Sequence, residues 1–164
     1  MNNQLRNEIL NIIEHNSRID LKELAVLTGV QEIDVVNELA DMEKTGIICG
    51  YHTLINWEKT DIDTVTALIE VRVTPQRGQG FDNIAERIYK YPEVRSVYLI
   101  SGGYDLMVIL EGKSLREVSA FVSDKLSALD TVLSTATHFI LKKYKDHGTI
   151  FNREQEDERE MITP

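Results

Sequence analysis

Apolar residues at Leu5, Ile9, Ile12 and Ile13 follow the i, i+4, i+7, i+8 spacing of one helix face, which predicts an amphipathic helix over residues 3 to 15. Asp20 followed three places on by Glu23 has the form of a capping box. Leu21, Leu24 and Ala25 give the helix behind it a buried face that ends at Thr28-Gly29. Val30 closes a tight turn, and Val35, Leu39 and Met42 set an apolar stripe on a third helix that stops at Gly46. Two helices joined by a turn this short make a helix-turn-helix. The next stretch, IICGYHTLIN, is rich in β-branched and aromatic residues with Gly50 inside it. It predicts a strand or bent hairpin, either a wing or the strand that leaves the first domain.

From residue 65 the period changes from that of a helix to that of a strand. After the polar stretch NWEKTDIDT (56–64), read as a linker, Val65, Ala67, Ile69, Val71 and Val73 alternate as one face of a half-buried strand. Phe81, Ile84, Ala85 and Ile88 mark a helix that stops before Pro92. Val94 to Ile100 and Leu106 to Leu110 read as strands joined by the turn SGGYD. Ser114 and Glu117 open another capping box, with Leu115, Val118, Val122, Leu126 and Leu129 directed at a core, and Val132 to Leu141 is a last strand. The order β-α-β-β-α-β is that of a ferredoxin-like split βαβ domain, four antiparallel strands covered on one side by two helices. The expected chain is therefore α+β: a winged helix-turn-helix domain over 1–55, a linker over 56–64, a βαββαβ domain over 65–147, and an acidic, poorly ordered tail over 148–164. The uncovered sheet face calls for a partner sheet.

Composition narrows the class. With 42% hydrophobic and 27% charged residues in 164, the chain is that of an ordinary soluble protein. No run approaches the roughly 18 apolar residues of a spanning helix. The opening MNNQLRNEIL lacks a signal-peptide pattern, and a single cysteine, Cys49, fits a reducing compartment, so a cytoplasmic protein without a membrane partner is expected. Charge is uneven: residues 1 to 60 hold five Lys or Arg against ten Asp or Glu, in the half where a DNA reader would sit. The third helix, within QEIDVVNELADMEK, carries Glu32, Asp34, Glu38, Asp41 and Glu43 against Lys44 alone. Phosphate neutralisation by Lys and Arg supplies most non-specific affinity for DNA, so this acidity weighs against tight binding by one module.

The stretches RIDLKELAVLTGV, GIICGYHTLIN, VRSVYLISGGYDLMVILEG and FVSDKLSALDTVLSTATHFILKKYK, together spanning about residues 3 to 147, resemble the Lrp/AsnC (feast/famine) transcription regulators. The middle hairpin with its Gly-x-x-Asp turn is the most specific of them. The resemblance implies a second domain, often called RAM, that dimerises, assembles into tetramers or octamers and binds small effectors, usually amino acids, between subunits. Within the family the chain is most similar to the Gram-positive regulators of alanine metabolism, which suggests a small or apolar amino acid such as alanine. Relatives usually offer Arg or Lys on the third helix. The outward positions expected here are Gln31, Asp34, Asn37, Glu38 and Asp41.

Two candidate sites follow. Against double-stranded DNA, Arg6, Arg18, Lys22 and Lys44 would meet phosphates. Gln31 and Asn37 would pair with adenine, and Glu38 or Asp34 would accept from cytosine N4. An oligomer would join several such weak contacts. Against an effector, Gly102 and Gly103 would offer backbone N–H groups to a carboxylate and Asp105 would hold an ammonium, with Tyr104 in the same turn and Tyr98, Ser101, Thr135 and Thr137 lining the cleft. The plainer reading of that turn is a hairpin whose glycines supply positive φ. Enzyme readings find little support. Cys49 and His52 lack further ligands, since His15, His138 and His147 have no matching spacing, so no metal or cofactor is expected. Gly78-Gln79-Gly80 is no dinucleotide fingerprint, Asp61 and Asp63 fit a solvated linker, and no nucleophile has an adjacent base. The competing class is an amino-acid-binding assembly module whose acidic first domain has lost DNA and contacts protein.

Overall fold

Three short helices form where the apolar spacing places them. α1 (Asn3–His15) buries Leu5 and Ile9, α2 (Leu21–Thr28) buries Leu24 and Ala25, and α3 (Glu32–Lys44) buries Val35 and Met42. The Asp20 carboxylate accepts the Glu23 N–H at 2.7 Å and starts α2. Gly29, left-handed at φ 69, ends it with its N–H on the Ala25 and Val26 carbonyls, and Gly46 at φ 75 follows α3. The buried residues of the three helices form one small core, edged by half-buried Ile12, Ile13, Ile19, Leu39 and Ile48. Leu21, expected on the buried face, sits at the first position of a two-turn helix and stays exposed.

The computed structural model describes residues 3–74 and 80–151. The chain divides into two units, 1–55 and 56–164, each described by itself. No strand forms over residues 47–56, so the expected wing is absent from the described residues. A strand requires a neighbour with free backbone groups. Here residues 47–52 run along α1, whose backbone is already hydrogen-bonded within the helix. The Ile47 and Ile48 N–H groups both turn back to the Met42 carbonyl.

The second unit is the expected open sandwich. Asn56 caps a single 3₁₀ turn, Trp57–Lys59. β1 (Val65–Val73), α4 (Asp82–Tyr89), β2 (Val94–Leu99), β3 (Leu106–Gly112), α5 (Leu115–Phe121, continued by a π-type turn to Leu126) and β4 (Val132–Phe139) follow in order. The sheet runs β2-β3-β1-β4 with every pair antiparallel, the ferredoxin-like arrangement. The odd residues of β1, together with Leu106, Val108 and Leu110, pack against Ile84, Ile88, Val118, Phe121 and Leu126 of the helices. Ser114 caps α5 as expected, but the Glu117 carboxylate accepts the Lys113 N–H. Leu115 is 56% exposed, and Phe121 takes the core place expected of it. β4 stops at Phe139 and leaves Leu141 exposed.

β5 (Lys145–Asp146) and β6 (Thr149–Ile150) form a hairpin around His147 and Gly148, both at positive φ, the geometry of a type I′ turn. Regular structure therefore continues past residue 148, where the tail was expected to begin. Residues 152–164, and Gly78 and Gln79 of the Gly-Gln-Gly stretch, lie outside the described residues. No described helix is long and apolar enough to cross a membrane.

One ion pair of this unit predicts a pH response. Lys125 Nζ sits 2.6 Å from Glu93 Oε1 and lies 5.0 and 5.1 Å from the centroids of Tyr91 and Phe121. Its hydrogen bond holds the Glu93 carboxyl below the usual range, partly opposed by desolvation. A depressed folded pKa contributes stability above the unfolded value, and that stability is lost as pH falls through the folded one. Thermal unfolding of wild type and Glu93→Gln should differ at neutral pH by about 1 kcal/mol or less, and the two should converge as pH falls below the ordinary carboxylate range. A difference that persists in acid would place the effect elsewhere.

Candidate functional site

The inward side of α3 is fixed by Val35 and Met42, with Leu39 half-buried between them. At about 100° per residue the opposite side carries Ile33, Asn37, Ala40 and Lys44, all exposed. The acids do not occupy the middle of this stripe. Arg6 of α1 donates from Nε to Glu38 Oε1 at 2.5 Å and from Nη2 to Asp41 Oδ2 at 2.7 Å, its side chain only 15% exposed. The Glu38 hydrogen bond is the main cause of a guanidinium pKa raised above its ordinary value. Glu43 accepts the Tyr51 hydroxyl at 2.9 Å. Burial first, and then this bond, raise the tyrosine's pKa. Glu32 and Asp34 stand in the first turn of α3, where the helix dipole favours negative charge.

The expected interface residues are not all placed alike. Arg6 is engaged inside the unit by Glu38 and Asp41. Glu38 lies on the inward side of the helix, three places from Val35 and four from Met42. Asp34 and Asp41 flank the outward stripe, and Gln31 is exposed at the helix cap with no capping hydrogen bond from its side chain. Asn37 stands at the middle of the stripe. Arg18, Lys22 and Lys44 are exposed and make no ion pair among the described residues.

The turn Ser101–Asp105 joins β2 to β3 at the end of β1. Ile100 N–H donates to the Asp105 carbonyl at 2.8 Å, Asp105 N–H to the Val71 carbonyl at 3.1 Å, and Val73 N–H to Asp105 Oδ2 at 2.8 Å. The register between β1 and β4 slips between Arg72 and Val73, and Asp105 takes up the amide beside that irregularity. Neither Gly102 nor Gly103 has positive φ, so the plain hairpin reading of these glycines fails. A Cβ at Gly103 would meet nothing within 4 Å, and one at Gly102 would meet only Ile100 Cγ2 at 3.6 Å. Among the described residues, then, neither positive φ nor a close neighbour requires glycine at either position. The N–H groups of residues 102–104 have no hydrogen-bond partner among the described residues.

The proposed walls of the cleft do not assemble around this turn in one chain. Tyr98 pairs with Met107 on the sheet face away from the helices, where Leu68 and Ile109 are also half-buried. Thr135 and Thr137 pair with Val71 and Ile69, so they point to the helix side, and they lie on the opposite edge of the sheet. Ser101 is exposed, and Tyr104 is half-buried with its hydroxyl 3.9 Å from Met107 Sδ. In the first unit a groove of about 460 Å³ lies between α1 and residues 47–52, lined by Glu14, Cys49 and His52 among others. Cys49 Sγ is turned to the Gly46 carbonyl at 3.2 Å, and no three potential ligands gather among the described residues.

Residues 66–150 match the family described as the Lrp/AsnC ligand binding domain. The chain is 50% identical over 158 residues to an uncharacterized HTH-type transcriptional regulator, YugG, of Bacillus subtilis, covering 96% of this chain and 95% of that one. A transcriptional regulator from Neisseria meningitidis, solved in complex with L-Met, superposes with a TM-score of 0.70 at 24% identity, covering 87% of this chain and 92% of that one. AsnC of Escherichia coli does so with a TM-score of 0.65 at 21% identity, covering 87% and 93%.

Proposed function

Because the chain belongs to the Lrp/AsnC family of transcription regulators and is no enzyme, we propose that it binds double-stranded DNA as an oligomer in the cytoplasm and responds to an amino acid. The observation that carries the DNA part is the disposition of charge in the first unit. Three of the five acids on α3 are engaged by Arg6 and Tyr51, while Arg18, Lys22 and Lys44 stand exposed around it. Each module still offers few cations, so affinity comes from joining modules. The sheet face that carries Leu68, Met107, Ile109 and Tyr98 is the surface for a homodimer, which closes further into a tetramer or octamer.

The effector is an α-amino acid with a small or apolar side chain, alanine being the first to test. Its carboxylate meets the N–H groups of residues 102–104, where two glycines leave the backbone open, and its ammonium meets the second oxygen of Asp105. Thr135 and Thr137, on the opposite edge of the sheet, would reach such a ligand from another subunit. The neighbour solved with L-Met supports this class of ligand.

Mobility shifts with the gene's own upstream region, at low salt and with a panel of amino acids, test the reading, with light scattering run on the same samples. The expected result is a shifted complex that one amino acid strengthens, weakens or changes in mobility, formed by a dimer or larger species. A monodisperse monomer at micromolar concentration that shifts no DNA would leave the competing reading, a module that contacts protein.

A further inference from the structure

We infer that α3 reads A·T base pairs, Asn37 pairing with adenine while Ile33 and Ala40 on either side of it contact thymine methyl groups. The inference rests on the DNA-binding reading and deepens it. The outward stripe of a recognition helix is the part that meets base edges, chiefly in its N-terminal turns. Ile33 and Asn37 lie in the first two turns, and Ala40 lies one turn beyond Asn37. Seven residues at 1.5 Å each separate Ile33 from Ala40, about 10 Å, the height of about three base pairs.

The chemistry of the stripe is selective. Ile33 is 58% exposed and Val36, beside it, 37%, although a solvated helix face would normally carry charge there. In the major groove only thymine offers an apolar group, its 5-methyl. Guanine presents O6 and N7, which call for Arg or Lys, and the stripe has no such residue before Lys44. Lys44 lies eleven residues from Ile33, about 16 Å along the helix, and is placed for phosphate. Cytosine presents an N4 donor that Ile33 and Ala40 would bury without an acceptor. Asn37 can satisfy adenine with both ends of its amide, the oxygen accepting from N6 and the nitrogen donating to N7. Glu32 and Asp34 lie roughly a quarter turn to either side of the stripe and do not interrupt it.

The test uses the full-length protein. Duplexes selected from a random library are remade with uracil for thymine, which removes only the methyl group, and with 7-deazaadenine for adenine, which removes only N7. At one or two positions per half-site, uracil should weaken wild-type binding about fourfold, the worth of a buried methyl-sized group. Ile33→Ala should lose the effect of uracil at one of these positions and keep it at the position that Ala40 meets. At an adjacent position 7-deazaadenine should weaken binding about 5-fold or more, and Asn37→Ala should abolish that difference. Both residues are exposed, and helical circular dichroism of the variants should match wild type. Selected sites with G·C at these positions, or wild-type indifference to both analogues, would overturn the inference while leaving DNA binding intact. Recovery of no duplex at low salt would overturn the DNA reading itself and this inference with it.

Discussion

Asp105→Asn should weaken amino-acid binding by about 30-fold or more while leaving the second unit folded. Asparagine keeps a side-chain oxygen to accept the Val73 N–H now bound at 2.8 Å, but it removes the charge proposed to meet the ligand's ammonium. Losing one partner of a desolvated charge pair typically costs about 2 to 5 kcal/mol. Alanine is the poorer probe because it also strands the Val73 amide, a further loss of about 1–3 kcal/mol in the fold. Calorimetry against alanine and other small or apolar amino acids, with thermal unfolding of the same variant, separates the two roles. An Asn variant with undiminished affinity would make Asp105 a residue that only anchors the end of β1.

Ile9→Ala should unfold the first unit and abolish DNA binding, yet leave the sheet and its amino-acid binding in place. Ile9 is fully buried in a core whose other buried members among the described residues are Leu5, Leu24, Ala25, Val35 and Met42. Truncation of a buried isoleucine costs about 2–5 kcal/mol, and a domain this small seldom holds more than about 3–5 kcal/mol in total. The sheet has its own core around Ile69, Ile88, Val108 and Leu126, which the substitution does not touch. Circular dichroism should show a partial loss of helix and calorimetry an unchanged ligand isotherm. Full DNA affinity in this variant would mean that the small core has reserves its size does not suggest.

Local patterns were legible in the sequence because local physics sets them. The Asp20 and Ser114 caps, the strict alternation of β1 and the two-turn spacing of α4 each depend on residues a few places apart, and the βαββαβ order follows from them. Pairing across long separations was not legible. Arg6 meets Glu38 from 32 positions away, and nothing near either residue announces it. That Glu38 faces inward was nevertheless readable, since the helical period sets it beside Val35 and Met42. Thr135 and Thr137 could be placed on a face only once the register of β4 against β1 was known. The stretch 47–56 has strand composition, but residues 47–52 run along a helix, so composition misled there. The His147-Gly148 turn escaped notice because histidine stands where hairpins of this type usually carry asparagine or aspartate. At the turn Ser101–Asp105 the glycines were legible, but their reason was not. Only the backbone angles and the open space around them among the described residues show that positive φ is not that reason.

Binding of the oligomer to its upstream DNA, followed by fluorescence anisotropy across a salt series, tests most directly whether the acidic first unit meets DNA through its exposed cations. Arg18, Lys22 and Lys44 from each of two modules would neutralise up to six phosphates per dimer. Each phosphate contributes about −0.9 to the slope of log K against log salt, so a linear fall with slope of roughly −5 per bound dimer is expected. A slope near zero, or no binding at the lowest salt, would contradict it.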